Sequence, residues 1–294
     1  MRPRTRRYRI HENPVTVCIA AIARNVDGKD AVVVTADTML SQGQFITSRY
    51  HAKIHYVGRK WLALASGPTS ITDSLLGRIT KRLRDEEPND VPAMASEVWD
   101  EVRGMEAVGR HFPPGLTLER FYREGKAILP ESVFERLEKE LEDTQLDGAS
   151  LILVGWSDLG AQLFSFEDAW GGEPRPHRTD AYYAIGTGNT NAIAILAGLD
   201  QARADPWMIS AYRVYAAKKF AEKAVGVGLG GPMAVVTEEA FAFIQTDTLE
   251  RAYQRYGSLP TPRTWKKIVE GIIKKGIVID APIAWDRVPL FGAP

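Results

Sequence analysis

Short apolar runs rich in β-formers, joined by tight polar breaks, constrain the fold of this chain most. Four such runs open the sequence, at 16–23, 31–36, 54–57 and 61–65. Asp27 and Gly28 lie in the break between the first two runs, and Gly58 lies in the break between the next two. Turn residues between two β-rich runs are typical of hairpins. We therefore expect the chain to begin as an antiparallel meander.

Helical periodicity replaces the strand pattern after Gly67. Apolar residues recur at helical spacing at Ile71, Leu75, Leu76, Ile79 and Leu83. Ser70 followed by Asp73 resembles a capping box at the start of this helix. Further helices are predicted at 93–105, 131–142, 191–204, 206–224 and 265–274, and further strands at 150–154, 161–165, 181–185, 233–236 and 240–244. Blocks of strands and blocks of helices indicate an α+β fold rather than a strict βαβ alternation.

The domain organisation follows from the same pass along the chain. Residues 1–15 are rich in arginine and hold little that could pack, so we interpret them as a basic leader or a propeptide-like tail. We expect residues 16–294 to form a single domain. That domain carries a helical elaboration at about 85–147 and a helical extension after about 246.

Composition argues against several classes of partner. The 294 residues carry 37 Lys plus Arg and 37 Asp plus Glu, so no net charge draws in nucleic acid or an anionic membrane. No run approaches the about 18–20 apolar residues of a spanning helix. Cys18 is the single cysteine, which excludes an internal disulfide and favours a reducing compartment. We expect a cytoplasmic protein that binds neither nucleic acid nor membrane.

Several motifs that suggest a ligand are incomplete. Gly186 to Asn191 follows a strand and opens a helix, but the third glycine of a dinucleotide fingerprint is absent. Ligand binding near Gly186 stays open as a minor alternative. His51 and His55 are four residues apart without a zinc-binding motif, so neither a metal nor a cofactor is expected. Cys18 lies within an apolar run, where a buried structural thiol is commoner than a nucleophile.

Four residues at the ends of the first strands form a coherent set. Thr16 heads the first run, Asp37 follows the second, Lys53 precedes the third, and Gly67 follows the fourth. A threonine hydroxyl is a weak nucleophile until a base takes its proton. If Thr16 began the mature chain, its own α-amine, with an ordinary pKa of about 7.7–8.0, could be that base.

At these residues the sequence resembles the proteasome β subunits and their bacterial relatives, which are N-terminal-nucleophile (Ntn) hydrolases. The resemblance runs from Thr16 to about Ile244 and rests on motifs that occur in the family's order. These are Thr-Val-Cys-Ile-Ala from Thr16, Val-Val-Val-Thr-Ala-Asp37, Ala52-Lys53-Ile54, Leu-Ala-Ser-Gly67, Gly-Ala-Ser-Leu-Ile-Leu-Val-Gly155 and Ala-Ile-Gly-Thr-Gly188. The resemblance implies a four-layer αββα sandwich of two antiparallel sheets flanked by helices.

The resemblance also implies roles for individual residues. Thr16 would be the nucleophile, Lys53 would lower the pKa of its amine, and Asp37 would hold Lys53 in place. The Gly67 N–H would donate to the oxyanion, and Thr187 is a near match for a supporting turn serine. The implied activity is that of a threonine peptidase, acting on a peptide or protein substrate without a cofactor. The family's rings imply a homo-oligomer, whereas no docking motif for an ATP-driven unfoldase is recognisable.

Some positions depart from the family pattern. Active members carry Asp and Ser just before a Gly-Gly pair, where this chain has Gly226 and Leu229. The residue before the threonine is usually glycine, whereas Val15 stands here. These departures keep a second hypothesis open, a catalytically silent subunit that retains the fold and assembles. By resemblance Leu40, His51 and Ala65 border a substrate pocket, and their mixed character fixes no preference.

Overall fold

A computed structural model describes residues 16–42, 45–48, 52–257, 262–275 and 277–287. The predicted leader at 1–15 lies outside the described residues. The strands are β1 (Cys18–Arg24), β2 (Asp30–Ala36), β3 (Leu40–Gln42), β4 (Phe45–Ser48), β5 (Ile54–Gly58), β6 (Trp61–Ser66), β7 (Ser150–Ser157), β8 (Gly160–Glu167), β9 (Arg175–Pro176), β10 (Tyr182–Ile185), β11 (Met233–Thr237), β12 (Ala240–Phe243) and β13 (Ile283–Ala284). The helices are α1 (Thr69–Asp85), α2 (Val91–His111), α3 (Leu118–Ile128), α4 (Glu131–Asp143), α5 (Asn189–Gly198), α6 (Trp207–Ala221), α7 (Asp247–Tyr256) and α8 (Pro262–Lys275).

The fold is mixed α+β with two main antiparallel sheets, as the sequence predicts. The first sheet has the order β10-β1-β2-β11-β12-β13, and the second has the order β5-β6-β7-β8-β9. β3 and β4 pair separately. β1 and β2 form the predicted hairpin, with Cys18 opposite Ala36. β5 and β6 form the second hairpin, with Ile54 opposite Leu64.

Both faces of the central strands are buried, which explains why their sequences are apolar runs rather than alternating patterns. Along β1, Cys18 and Ile22 belong to a cluster between the two sheets, which also contains Leu64 and Ile152. Ile19, from the opposite face of β1, belongs to a second cluster formed with α5, α6, α7 and α8. A third cluster joins β6 and β7 to α1 and α2. The two main sheets therefore share one apolar cluster, and each of them shares a further cluster with helices.

The helical segments of the chain contain more elements than the periodicity predicts. α2, α3 and α4 lie within 85–147, and a small apolar cluster centred on Phe121 and Phe134 joins α3 to α4. α7 and α8 lie after residue 246. Neither α3 nor α7 is among the helices predicted from the sequence. The division into a leader and a single domain stays a prediction.

Two local predictions are wrong. The helix predicted over 191–204 ends at Gly198, because Asp200 adopts a positive φ of 53° and the chain turns back. The capping box at Ser70 is not formed, since α1 begins after Pro68 with no side-chain cap hydrogen bond. The Thr72 hydroxyl instead donates to the Pro68 carbonyl at 3.2 Å.

No helix among the described residues is long and apolar enough to cross a membrane.

Candidate active site

The antiparallel pairing of β1 with β2 brings Thr16 and Asp37 together at one end of these two neighbouring strands. Thr16 lies two residues before β1 begins, and Asp37 directly follows the end of β2. Strands that run in opposite directions place the start of one beside the end of the other. The Asp37 N–H donates to the Val17 carbonyl at 3.1 Å, which extends the ladder to this edge.

The second hairpin brings Lys53 and Gly67 together at one end of β5 and β6 in the second sheet, next to Thr16 and Asp37. Lys53 precedes β5 and Gly67 follows β6. The Ala65 N–H donates to the Lys53 carbonyl at 3.1 Å, and the Cys18 thiol reaches across from β1 to the Ala65 carbonyl at 3.5 Å. The two hairpins therefore present their ends to each other.

Three of the predicted side chains meet in direct contact. The Thr16 hydroxyl donates to Asp37 Oδ1 at 2.5 Å. Lys53 Nζ donates to the same carboxylate oxygen at 2.8 Å and also to Thr16 Oγ1. Thr16, Asp37 and Lys53 are 2%, 0% and 6% exposed. A hydroxyl, an ammonium and a carboxylate therefore form one buried, mutually bonded group.

Every oxygen of the Asp37 carboxylate has several donors. Oδ1 also accepts from the Val17 N–H at 3.0 Å. Oδ2 accepts from the Met39 N–H at 3.3 Å and from the Gly228 N–H at 3.2 Å. Charge-assisted bonds to backbone N–H groups compensate the cost of burying a carboxylate. The Gly228 contact comes from the loop whose Gly226 and Leu229 match the family's supporting positions, but Gly228 itself was not predicted to take part.

This supporting loop spans residues 225–231 and approaches the site closely. A Cβ on Gly228 would lie 2.6 Å from Met39 Cβ and 2.8 Å from Asp37 Oδ2, so the approach requires a glycine. Leu229 is 80% exposed, and Gly226 adopts a positive φ of 86°. Neither carries the acid or hydroxyl of the family pattern, and the supporting contact comes instead from the Gly228 backbone.

The glycines at 186–188 form a close-packed turn against Thr16. The Gly188 N–H donates to the Thr16 carbonyl at 3.2 Å. A Cβ on Gly186 would lie 2.5 Å from Thr16 Cγ2, and Gly186 has a φ of 88°. Thr187 lies in this turn with an exposed side chain. Close approach to Thr16 therefore accounts for these glycines without a phosphate ligand.

Gly67 occupies a position that excludes a side chain. Its φ is 129°, and a Cβ there would lie 2.7 Å from the Ala149 Cα atom. It lies between Ser66, the last residue of β6, and the start of α1. A glycine is thus required by the backbone at the residue predicted to supply an oxyanion donor.

Cys18 is buried at 0% exposure, as expected for a structural thiol. Burial raises the pKa of the Cys18 thiol, an effect that the nearby Lys53 ammonium opposes and Asp37 reinforces. Because the thiolate is the reactive form, a raised pKa argues against Cys18 as the nucleophile.

The residues expected to border a substrate pocket are described only in part. His51 and the side chain of Leu40 lie outside the described residues. Ala65 is 6% exposed and bonds to Cys18 and Lys53 as given above. Within the described part of the chain, no group of three or more His, Cys, Asp or Glu side chains is arranged to hold a metal ion.

A second buried pair of charges adjoins the site and was missed from the sequence. Lys218 lies in α6, and Glu222 directly follows the end of that helix. Lys218 Nζ is 2.8 Å from Glu222 Oε1, and both side chains are 4% exposed. Opposite charges four residues apart, at the end of a largely apolar helix, are the signal that could have found them. Their contacts lead to the supporting loop.

A scan against models of known protein families found none that matches this chain, and a search of curated proteins found no match.

Proposed function

We propose that this chain is a threonine-type N-terminal-nucleophile hydrolase that cleaves peptide bonds after removal of residues 1–15. The observation that carries the proposal is the buried contact of Thr16 Oγ1 with both Lys53 Nζ and Asp37 Oδ1. Three residues separated widely along the chain meet there, at the ends of two hairpins. A structural threonine would not require a lysine and an aspartate buried against its hydroxyl.

The first half of the proposed reaction forms an acyl ester. In the processed chain the Thr16 α-amine takes the proton of its own hydroxyl, and Oγ1 attacks the substrate carbonyl. The Lys53 ammonium favours the unprotonated amine, because a nearby positive charge lowers an amine's pKa. The Gly67 N–H donates to the developing oxyanion, a contribution typically of about 2.7–4 kcal/mol.

The first half ends when the protonated amine gives its proton to the leaving amino group of the substrate and the carbon–nitrogen bond breaks, which leaves the acyl ester on Thr16. In the second half water attacks this ester, with the α-amine taking a proton from the water. The amine returns that proton to Thr16 Oγ1 as the ester carbon–oxygen bond breaks, which releases the acid and restores the free Thr16 hydroxyl. No cofactor enters either half.

The packing supports the finer fold assignment, a four-layer αββα sandwich of the Ntn type. Apolar clusters join α5 and α6 to the first sheet, the first sheet to the second, and the second sheet to α1 and α2. These clusters support the order of layers that the resemblance implies. The proposal extends to a cytoplasmic homo-oligomer that takes peptide or protein substrates.

A catalytically silent subunit is the second candidate. Three residues favour it. Gly226 and the exposed Leu229 lack the acid and the hydroxyl that active members carry, and Val15 replaces the usual glycine before the nucleophile. A β-branched Val15, preceded by a conformationally stiff proline, hinders attack of Thr16 on the preceding carbonyl. On this hypothesis the chain keeps the fold and assembles without cleaving peptides.

Mass spectrometry and peptide hydrolysis test the two candidates together. The full chain is expressed as the wild type, as Thr16→Ala and as Thr16→Ser, and each product is weighed intact and assayed on a peptide library. We expect a wild-type product that begins at Thr16 and hydrolyses peptides, loss of hydrolysis in Thr16→Ala, and retained hydrolysis in Thr16→Ser. An intact 32.6 kDa chain without hydrolysis would instead support the silent subunit.

A further inference from the structure

Lys218 and Glu222 together bind both main-chain groups of one glycine in the supporting loop. Lys218 Nζ donates to the Gly230 carbonyl, and the Gly230 N–H donates to Glu222 Oε1 at 3.0 Å. The same Glu222 oxygen accepts from Lys218 Nζ at 2.8 Å. Lys219 bonds to the other Glu222 oxygen at 2.8 Å and is 25% exposed. Lys218, Glu222 and Gly230 thus form a closed triangle of bonds.

The loop that this triangle holds rests on the segment around Asp37. Gly231 follows directly with a φ of 132°, and a Cβ there would clash with the Ala36 carbonyl oxygen. Gly228 lies on the other side of Gly230 and donates its N–H to Asp37 Oδ2 at 3.2 Å. Lys218 and Glu222 therefore fix the loop at Gly230. The loop contacts Asp37 through Gly228, before Gly230, and lies against Ala36 at Gly231, after Gly230.

The electrostatics connect the same groups. Burial lowers the pKa of Lys218, while Glu222 and Asp37 act in the opposite direction. Burial works to raise the pKa of Glu222, but Lys218 and Lys219 bring it below its ordinary value. Lys218 therefore interacts electrostatically with Asp37 while it remains paired with Glu222.

We propose that Lys218 and Glu222 are positioning residues for the nucleophile, acting through Gly230 and Gly228 on the Asp37 carboxylate. This inference rests on the proposed function. A carboxylate held at Oδ2 by the loop presents Oδ1 to Thr16 and Lys53. Without the pair, the Gly228 N–H loses its fixed position and Asp37 can rotate away from the hydroxyl.

Amide hydrogen exchange measures the contact independently of activity. The full chain is compared as wild type, Lys218→Met, Lys218→Arg and Lys219→Met, with exchange followed at the Gly228 amide and at the Val33 amide in the core of β2. Lys219→Met is the matched control, because it removes a lysine that bonds to Glu222 but not to Gly230. The Val33 amide reports global opening.

We expect the Gly228 amide to exchange at least about 10-fold faster in Lys218→Met than in the wild type. The exchange rate of the Val33 amide should change only as much as the free energy of global unfolding does. Lys218→Arg restores the protection, and Lys219→Met changes it less than about 2-fold. If Lys218→Met does not fold, Lys218→Met with Glu222→Met removes both charges and leaves neither buried alone. The same result is expected of that double variant.

Steady-state hydrolysis by the processed protein supplies the second readout. We expect kcat to fall about 10-fold in Lys218→Met with KM unchanged, because both side chains of the pair are only 4% exposed and offer no surface for substrate binding. Lys218→Arg recovers most of kcat, and Lys219→Met retains it. A Gly228 amide that stays protected, or a kcat equal to that of the control, overturns the inference. A wild type that hydrolyses nothing overturns the proposed function instead, while the exchange experiment still decides whether the pair holds the loop.

Discussion

Asp37 shows how a single side chain can organise a site. Its carboxylate is fully buried and accepts from Thr16, Lys53 and three backbone N–H groups. Burying a charge is costly unless it is paired and hydrogen-bonded, and here both conditions are met. The arrangement therefore depends on each partner remaining in place.

Replacing Lys53 by methionine leaves the Asp37 carboxylate buried without its ammonium partner. We expect Lys53→Met to lower the free energy of unfolding by about 3–5 kcal/mol, measured by urea titration. Adding Asp37→Asn should restore much of the loss, because no uncompensated charge then remains. Lys60→Met is the control: its ion pair with Glu238 is about half exposed, and its loss should cost less than about 1 kcal/mol. Equal losses in the two lysine variants would contradict this account.

His177 makes stability depend on pH in the acid range. Burial lowers its pKa to about 4, with Arg175 adding to the effect and Asp180 opposing it. An unfolded histidine titrates near about 6.5, so between these values the unfolded chain binds a proton that the native one does not. The free energy of unfolding should therefore fall as pH drops from about 6.5 to about 4.

Urea unfolding of wild type and His177→Gln at about pH 7 and about pH 5 checks this dependence. The variant should lose less stability on acidification, since glutamine does not titrate and can still bond to the Ser165 hydroxyl, 2.9 Å from His177 Nε2. NMR titration of the His177 ring gives the pKa directly. A ring that titrates near about 6.5 in the native protein would refute the assignment.

At the scale of elements, tertiary contacts decide where several segments begin and end. α5 ends at Gly198, although the sequence predicts a helix that continues to residue 204. The Gln201 amide, which follows, donates to the Ile22 carbonyl at 3.2 Å and to the Ser210 hydroxyl at 3.0 Å. These bonds to β1 and α6 hold the turn that replaces the predicted continuation.

Close packing of β7 against β6 makes Gly155 a further test at this scale. A Cβ on Gly155 would overlap the ring of Trp61, which is 5% exposed and cannot move into solvent. We expect Gly155→Ala to cost about 1–3 kcal/mol, as overpacked substitutions do. Gly109→Ala in α2 is the control, because no atom of the described residues, apart from the adjacent residues and backbone of its own helix, would lie within 4 Å of its Cβ. That variant should be neutral or more stable by up to about 1 kcal/mol. Thermal and urea unfolding of both proteins provide the comparison.

At the scale of the whole molecule, the proposed function depends on the packing of the two sheets, which brings the ends of the two hairpins together. The apolar cluster between them contains residues from β1, β2, β6 and β7. That packing brings the ends of the two hairpins together, and a shift of either sheet would separate Lys53 from Thr16. The site is thus a property of the sheet packing and not of one segment.

Assembly is the prediction that belongs to this scale. The family resemblance implies a homo-oligomer, and Val225 and Leu229, at 93% and 80% exposure, are apolar side chains that a neighbouring chain could cover. We expect light scattering and sedimentation to give a mass of two or more times that of the single chain, which is 32.6 kDa before residues 1–15 are removed. A monomer at every working concentration would reject the prediction.

The sequence by itself determined the hairpins, the α+β class and the candidate residues Thr16, Asp37 and Lys53, because turn residues and apolar runs act locally and fix which strand ends are neighbours. Tertiary structure decided the rest. Only the packing of one sheet on the other shows that Lys53 reaches the Thr16 hydroxyl, and only the folded chain brings Gly228, from 191 residues away, to the carboxylate of Asp37. A backbone N–H has no sequence signature, since every residue except proline carries one, and its use as a ligand depends on where the fold points it.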